Sequence, residues 1–127
     1  RSVKTIGNGT LSGSYGVAAL SLPQHGICYA VTNINDGCVR VFEKGGRQLN
    51  KFGTKGSGPG QFNNPWGIIS SNGRLLVVDS HNHRIQVFTT DGNFITMFGS
   101  EGESDGQFKS PVHIAEDRHG HVLVTDA

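Results

Sequence analysis

The chain has 127 residues, of which 35% are hydrophobic and 17% charged, so it has the length of one small domain and enough apolar residues to bury a core. Its 11 lysines and arginines are almost balanced by 10 aspartates and glutamates. This balance excludes a global positive field that would attract nucleic acid, so any basic surface must be local.

Short elements separated by turns are expected along the whole chain. Glycine supplies 19 residues, about twice its ordinary share, without a collagen-like period. The first predicted element is an outer strand in residues 1–7, because "SVKTIG" matches two later strands that end in "FG". No apolar run approaches the roughly 18 residues of a membrane span, and no signal peptide is visible, so we expect no membrane partner.

A repeat with an offset of 46 residues organises the rest of the chain. "VRVFEKGGRQLNKFG", Val39 to Gly53, aligns with "IQVFTTDGNFITMFG", Ile85 to Gly99. "GSGPGQFNNPWGI", Gly56 to Ile68, aligns with "GESDGQFKSPVHI", Gly102 to Ile114. Because periods of about 20 to 50 residues are typical of solenoids, propellers and arrays, the repeat is first of all architectural.

The second unit predicts four antiparallel strands. "GIIS" at 67–70, "LLVVD" at 75–79, "RIQVFT" at 84–89 and "FITMFG" at 94–99 are separated by Asn-Gly, a polar loop and Asp-Gly. Four-stranded units of this length are blades of a β-propeller, so the fold class is all-β. We divide the chain into an outer strand of a preceding blade (1–15), blade one (16–53), crossing and blade two (54–99), and crossing with the first two strands of a third blade (100–127).

The glycine-rich stretch is interpreted as the crossing from the outer strand of one blade to the inner strand of the next. It has no following helix, which argues against a phosphate-binding loop. We expect Phe62 and Phe108 to plug between neighbouring blades. Pro65 and Pro111 should prevent strand pairing from starting too early.

The spacing of Gly-Gln-Phe, Pro and Ile, followed by "VVDSHNHRIQVF" and "FITMFG", resembles the NHL repeat, most closely that of the tripartite-motif NHL proteins. The resemblance covers the chain from Gly16 onward. It implies NHL-type four-stranded blades in a ring of about six. Because the predicted strands make only about two full blades plus flanking strands, we expect a fragment of a longer chain, with further NHL blades of that chain as partners. Self-assembly of several copies is the alternative.

Asp79 and Arg84 are expected to be structural. Asp79 ends one strand and Arg84 starts the next, so the two can face each other across the hairpin or reach an adjacent blade. The first unit has Asn33 and Cys38 at these positions, so both members of the pair are replaced together. Arg84 also stays open as a ligand contact.

Up-and-down strand order places the second-to-third-strand loops and the crossings on one face, where we expect a ligand. An aromatic platform at Trp66 is one hypothesis, and packing of Trp66 between blades is the other. RNA-binding tripartite-motif NHL domains use this face, so the resemblance implies RNA or protein as ligand. The candidate contacts are Trp66, Lys55, His81, His83, Arg84, Lys109 and His113.

We predict no catalytic residue, metal ligand or cofactor, although His113 keeps open a metal-dependent lyase or hydrolase of NHL-like type. A protein-interaction scaffold without RNA binding is the other alternative. Cys28 and Cys38 fall at opposite ends of neighbouring strands, so no disulfide is expected and a cytoplasmic location is favoured. The family resemblance implies that ubiquitin ligation, if the parent protein performs it, belongs to a RING domain absent from this chain.

Overall fold

Every strand in the described part of the chain belongs to an antiparallel sheet or to a short parallel pair between two sheets. The computed structural model describes residues 2–7, 11 and 13–127, and within them the only helical element is a 3-10 turn at Ser80–Asn82. No helix in these ranges has both the length and the apolarity needed to cross a membrane.

Two four-stranded sheets follow each other along the chain. We call them blade one and blade two, and each has its strands in simple sequence order. Blade one contains β1 (Ser14–Leu22), β2 (Gly26–Asn33), β3 (Cys38–Glu43) and β4 (Gln48–Phe52). A short parallel pair, β5 (Thr54–Lys55) and β6 (Gln61–Phe62), lies in the crossing. Blade two contains β7 (Pro65–Ser71), β8 (Arg74–Asp79), β9 (Arg84–Thr89) and β10 (Phe94–Phe98), and a third unit contains β11 (Pro111–Glu116) and β12 (Val122–Asp126).

The predicted all-β blades are confirmed, and the turns explain the register. Asn72 and Gly73 both have positive φ, at 50° and 73°, and join Ser71 to its partner Arg74 in a two-residue hairpin. Cys28 pairs with Glu43 while Cys38 pairs with Asn33, so the two thiols lie at opposite ends of their strands. Both cysteines are free and buried.

Residues 2–7 form no strand among the described elements, and Arg1 lies outside the described residues, so the outer strand of a preceding blade stays a prediction. A strand needs a ladder partner, and the described part of this segment has none. Instead, Lys4 Nζ donates to the carbonyl oxygen of Lys44 at 2.9 Å, and Ile6 and Leu11 line a groove with β1 and β2. The segment therefore covers blade one with side chains, while the proposed boundary at residue 15 stays a prediction.

The core consists of two seams between consecutive units. Phe62 is fully buried in the first seam, within 5.5 Å of the ring centre of Phe88 and among apolar residues of both blades. Phe108 is half-buried and packs in the second seam against residues of β8 and β9. The crossings thus insert one aromatic ring into each seam, as the sequence predicts. Pro65 and Pro111, both buried, begin the innermost strands.

The innermost strands β1 and β7 approach each other so closely that only glycine fits. A Cβ built on Gly16 would lie 2.3 Å from the carbonyl oxygen of Trp66. Thr32 Oγ1 accepts the Gly16 N–H at 2.9 Å and donates to the same Trp66 oxygen at 2.7 Å. Gly67 faces β11 in the equivalent way, with the Val112 oxygen 2.8 Å from a built Cβ. The ring of inner strands is therefore set by backbone contact.

Replacing Gly16 with alanine should lower the free energy of unfolding by about 1–3 kcal/mol, because the new methyl group must push β1 away from β7. Urea unfolding measures the change. Gly45→Ala is the matched control, since a Cβ there meets nothing closer than Glu43 Oε1 at 3.8 Å and the backbone φ is not positive. Equal unfolding midpoints for the two variants would contradict the steric argument.

Candidate functional site

The loops that join second to third strands and the crossings lie together on one face, which we call the loop face. Residues 34–37 and 80–83 are the loops of blades one and two, and residues 53–64 are the crossing between them. They enclose a groove of about 740 Å³, the polar groove. Its lining consists of Ile34, Asn35, Lys55, Gly56, Ser57, Phe62, Asn63, Asn64 and Asn82.

The wall of the polar groove is held by the buried carboxylate of Asp79. Asp79 Oδ1 accepts the backbone N–H of Asn63 at 2.7 Å. Its Oδ2 accepts from Arg84 Nε and Asn82 Nδ2, both at 2.9 Å, and from Gln86 Nε2 at 3.0 Å. Asp79 has no exposed surface. One carboxylate therefore ties the crossing, the loop and β9 together.

The guanidinium group of Arg84 binds mainly to backbone oxygens of the glycine-rich crossing. Nε–H goes to Asp79, Nη1 donates to the Ser57 oxygen and Met97 Sδ, and Nη2 donates to the oxygens of Gly58 and Gln61. Because an arginine side chain has five N–H groups, none remains for a ligand. This hydrogen-bonding pattern fits the structural role, one of the two roles that the sequence left open for Arg84.

The glycine-rich crossing also uses its own amides internally. Gly56 N–H donates to the Phe62 oxygen at 3.1 Å, Gly58 N–H to Gln61 Oε1 at 2.9 Å, and Gly60 N–H to Gln86 Oε1 at 2.9 Å. A phosphate-binding loop needs such amides aimed at the ligand. The geometry therefore supports the interpretation that these glycines turn the chain and do not bind a phosphate.

An aspartate clamp of the same kind recurs in the third unit. Asp126 accepts the backbone N–H groups of Lys109 and Ser110, at 2.9 Å and 2.7 Å. In blade one, Asn33 and Cys38 occupy the corresponding positions and are fully buried. Burial raises the pKa of the Cys28 and Cys38 thiols, which keeps them protonated.

Trp66 lies at the mouth of β7 and is half-buried against Tyr15. Their rings stack with centroids 4.5 Å apart and planes inclined by 14°. Tyr15 remains 56% exposed. Tyr15 is not among the contacts predicted from the sequence, although "SYG" and "PWG" mark the same position in two units. Nor are Ser57, Asn63 and Asn64, which only the curvature of the crossing brings into the groove.

The remaining predicted contacts are dispersed. Lys55 lines the polar groove, and His81 Nε2 lies 3.3 Å from Asn64 Nδ2 at its margin. His83 contacts the Lys109 carbonyl oxygen through Nδ1 and lies 3.8 Å from Glu101. Lys109 Nζ pairs with Glu103 at 3.1 Å, and His113 is exposed on β11. Among the described residues, no three His, Cys, Asp or Glu side chains cluster as a metal site.

A family model matches part of the second unit. Residues 62–88, from the plug Phe62 through the Asp79 clamp to β9, match the model described as NHL repeat. The chain contains an NHL repeat. The matched segment is the part of the repeat in which crossing, inner strands and the buried ion pair meet.

Solved structures share the fold around this NHL repeat. A Bacteroides fragilis protein has a TM-score of 0.64 at 19% identity over 92% of this chain, and a Myxococcus xanthus glutaminyl cyclase has 0.60 at 13% over 89%. A Bacteroides caccae protein of unknown function has 0.54 at 18% over 89%. The chain spans 36%, 43% and 38% of the three structures, respectively. At these identities the likeness shows the propeller fold alone.

Asp79→Ala should destabilise the fold by about 3–5 kcal/mol, because it leaves the buried Arg84 charge without its partner. Chemical unfolding followed by circular dichroism measures this change. The matched control is Glu103→Ala, which removes an exposed ion pair with Lys109 and should cost less than about 1 kcal/mol. Similar losses in both variants would show that the Asp79 clamp has no special role.

Proposed function

We propose that this chain is a protein-recognition module whose ligand site is the polar groove. The observation that carries the proposal is the wall of the groove: Asn35, Asn63, Asn64 and Lys55 line a space of about 740 Å³ whose shape is held by the Asp79 clamp. Side-chain amides offer both donors and acceptors, which suits the alternating N–H and C=O groups of an extended peptide. A rigid site also lowers the entropy cost of binding.

The charges on the loop face favour a protein ligand over RNA. Nucleic-acid binding depends on unpaired cations that contact phosphates. Arg84 donates its N–H groups within the fold, chiefly to the crossing and to Asp79. Lys109 pairs with Glu103, and His83 faces Glu101. Lys55 has no ion pair among the described residues and is the main positive group of the groove.

RNA remains the second candidate because of one feature, the aromatic pair. Trp66 follows the groove residue Asn64 by two positions and presents a stacked, half-exposed surface with Tyr15. Aromatic rings on such faces can stack with unpaired bases. This candidate predicts that loss of Trp66 weakens RNA binding and that added salt weakens it further.

The parent protein is a further part of the proposal. The Gly-Gln-Phe spacing and "VVDSHNHRIQVF" support placement among the tripartite-motif NHL proteins of the cytoplasm, with any ubiquitin ligation supplied by a RING domain outside this chain. We assign no reaction to the chain itself, since its described polar clusters serve to hold loops.

Selection of a random phage-displayed peptide library on the immobilised chain tests the proposal. A selected peptide, labelled for fluorescence anisotropy, should bind Lys55→Ala and Asn64→Ala about tenfold more weakly, which corresponds to about 1.4 kcal/mol. Lys109→Ala should bind as the wild type because Glu103 already neutralises Lys109. Lys44→Ala, on the opposite face, is the matched control.

A parallel titration with a random single-stranded RNA pool separates the two candidates. Peptide affinity should change little between 50 and 200 mM salt, whereas RNA held by several phosphate contacts would lose about a thousandfold. RNA binding that is steeply salt-dependent, together with peptides that ignore the groove variants, would contradict a protein-recognition role.

A further inference from the structure

The outermost strand of blade two, β10, is an open edge. It is the terminal strand of its sheet and is hydrogen-bonded to β9 alone among the described strands. All five of its residues, Phe94 to Phe98, are exposed, and none carries a charge. An exposed, uncharged edge strand presents free backbone groups to any other strand.

Blade one shows what a protected edge looks like in the same fold. With the 46-residue offset, Gln48 in β4 corresponds to Phe94, and Lys51 corresponds to Met97. A lysine on an edge strand discourages pairing because its charge would have to lose water. Blade two therefore lacks, at matched positions, the polar and charged side chains that protect blade one.

The side chains of β10 are exposed even where they lie beside blade one. Phe94 pairs with Phe88 and Met97 with Gln86, residues that face the seam toward blade one. Both sides of that seam are described, yet Phe94 is 38% exposed and Met97 41% exposed. Phe94 is held edge-on against Phe88, with ring centres 5.9 Å apart, and Met97 Sδ accepts from Arg84 Nη1 at 3.3 Å. The edge is therefore pre-organised.

We propose that β10 pairs antiparallel with β10 of a second copy, making a two-fold dimer of blades edge to edge. Two identical uncharged strands meet without repulsion, and a two-fold axis makes one patch sufficient for both partners. Aromatic and threonine side chains also form favourable cross-strand pairs. Because five residues a side bury little area, the dimer is weak and depends on concentration.

Sedimentation velocity of the whole chain, from micromolar to millimolar concentration, tests the dimer. The wild type should shift from monomer to dimer, and Met97→Lys should remain monomeric at every concentration. Thr96→Lys should have the same effect without touching Arg84, so it serves if Met97→Lys fails to fold. Unfolding midpoints equal to that of the wild type verify that each variant is folded.

Two controls separate the β10 edge from other routes of association. Gln48→Lys places the same charge on the matching strand of blade one and should leave the dimer intact. Val17→Lys, on the 62% exposed residue of β1, should also leave it intact. A monomeric wild type, a dimer that survives both β10 variants, or one that Gln48→Lys or Val17→Lys abolishes would overturn the proposal.

Discussion

The arrangement of the loop face depends on one buried carboxylate. Asp79 has no exposed surface and accepts four hydrogen bonds, from the crossing, the loop and two side chains of β9. A buried charge costs free energy unless it is fully paired, so this site has value chiefly when every partner is in place. The clamp is therefore complete only when the crossing, the loop and β9 are correctly placed. The polar groove takes its shape from this clamp.

The repeat keeps the backbone and varies the chemistry. Asp79 and Asp126 both hold the crossing in front of an inner strand, while blade one replaces the ion pair with Asn33 and a buried cysteine. The crossings diverge in charge as well, since Lys55 in the first corresponds to Glu101 in the second. Because the clamps hold the loops, side chains on the loop face can differ from unit to unit without loss of the fold.

Glycine and aromatic residues pack different parts of the boundary between neighbouring units. Gly16 and Gly67 allow the inner strands to touch through their backbones, and Phe62 and Phe108 fill the wider part of each seam. The inner contact leaves no room for side chains, whereas the outer seam must be filled by them.

The sequence by itself determined the local features: the 46-residue repeat, the strands of blade two, the Asn-Gly hairpin, the phenylalanine plugs and the pairing partners Asp79 and Arg84. Each depends on spacing within one unit, which the linear order displays. Only the tertiary structure decided the course of residues 2–7, the Tyr15–Trp66 stack, and the groove residues Ser57, Asn63 and Asn64. These depend on how far one unit rotates against the next, and that rotation arises from contacts between residues distant in the chain. Only the tertiary structure shows that all five Arg84 N–H groups are used, because the crossing must fold before its carbonyl oxygens come within reach of the guanidinium group.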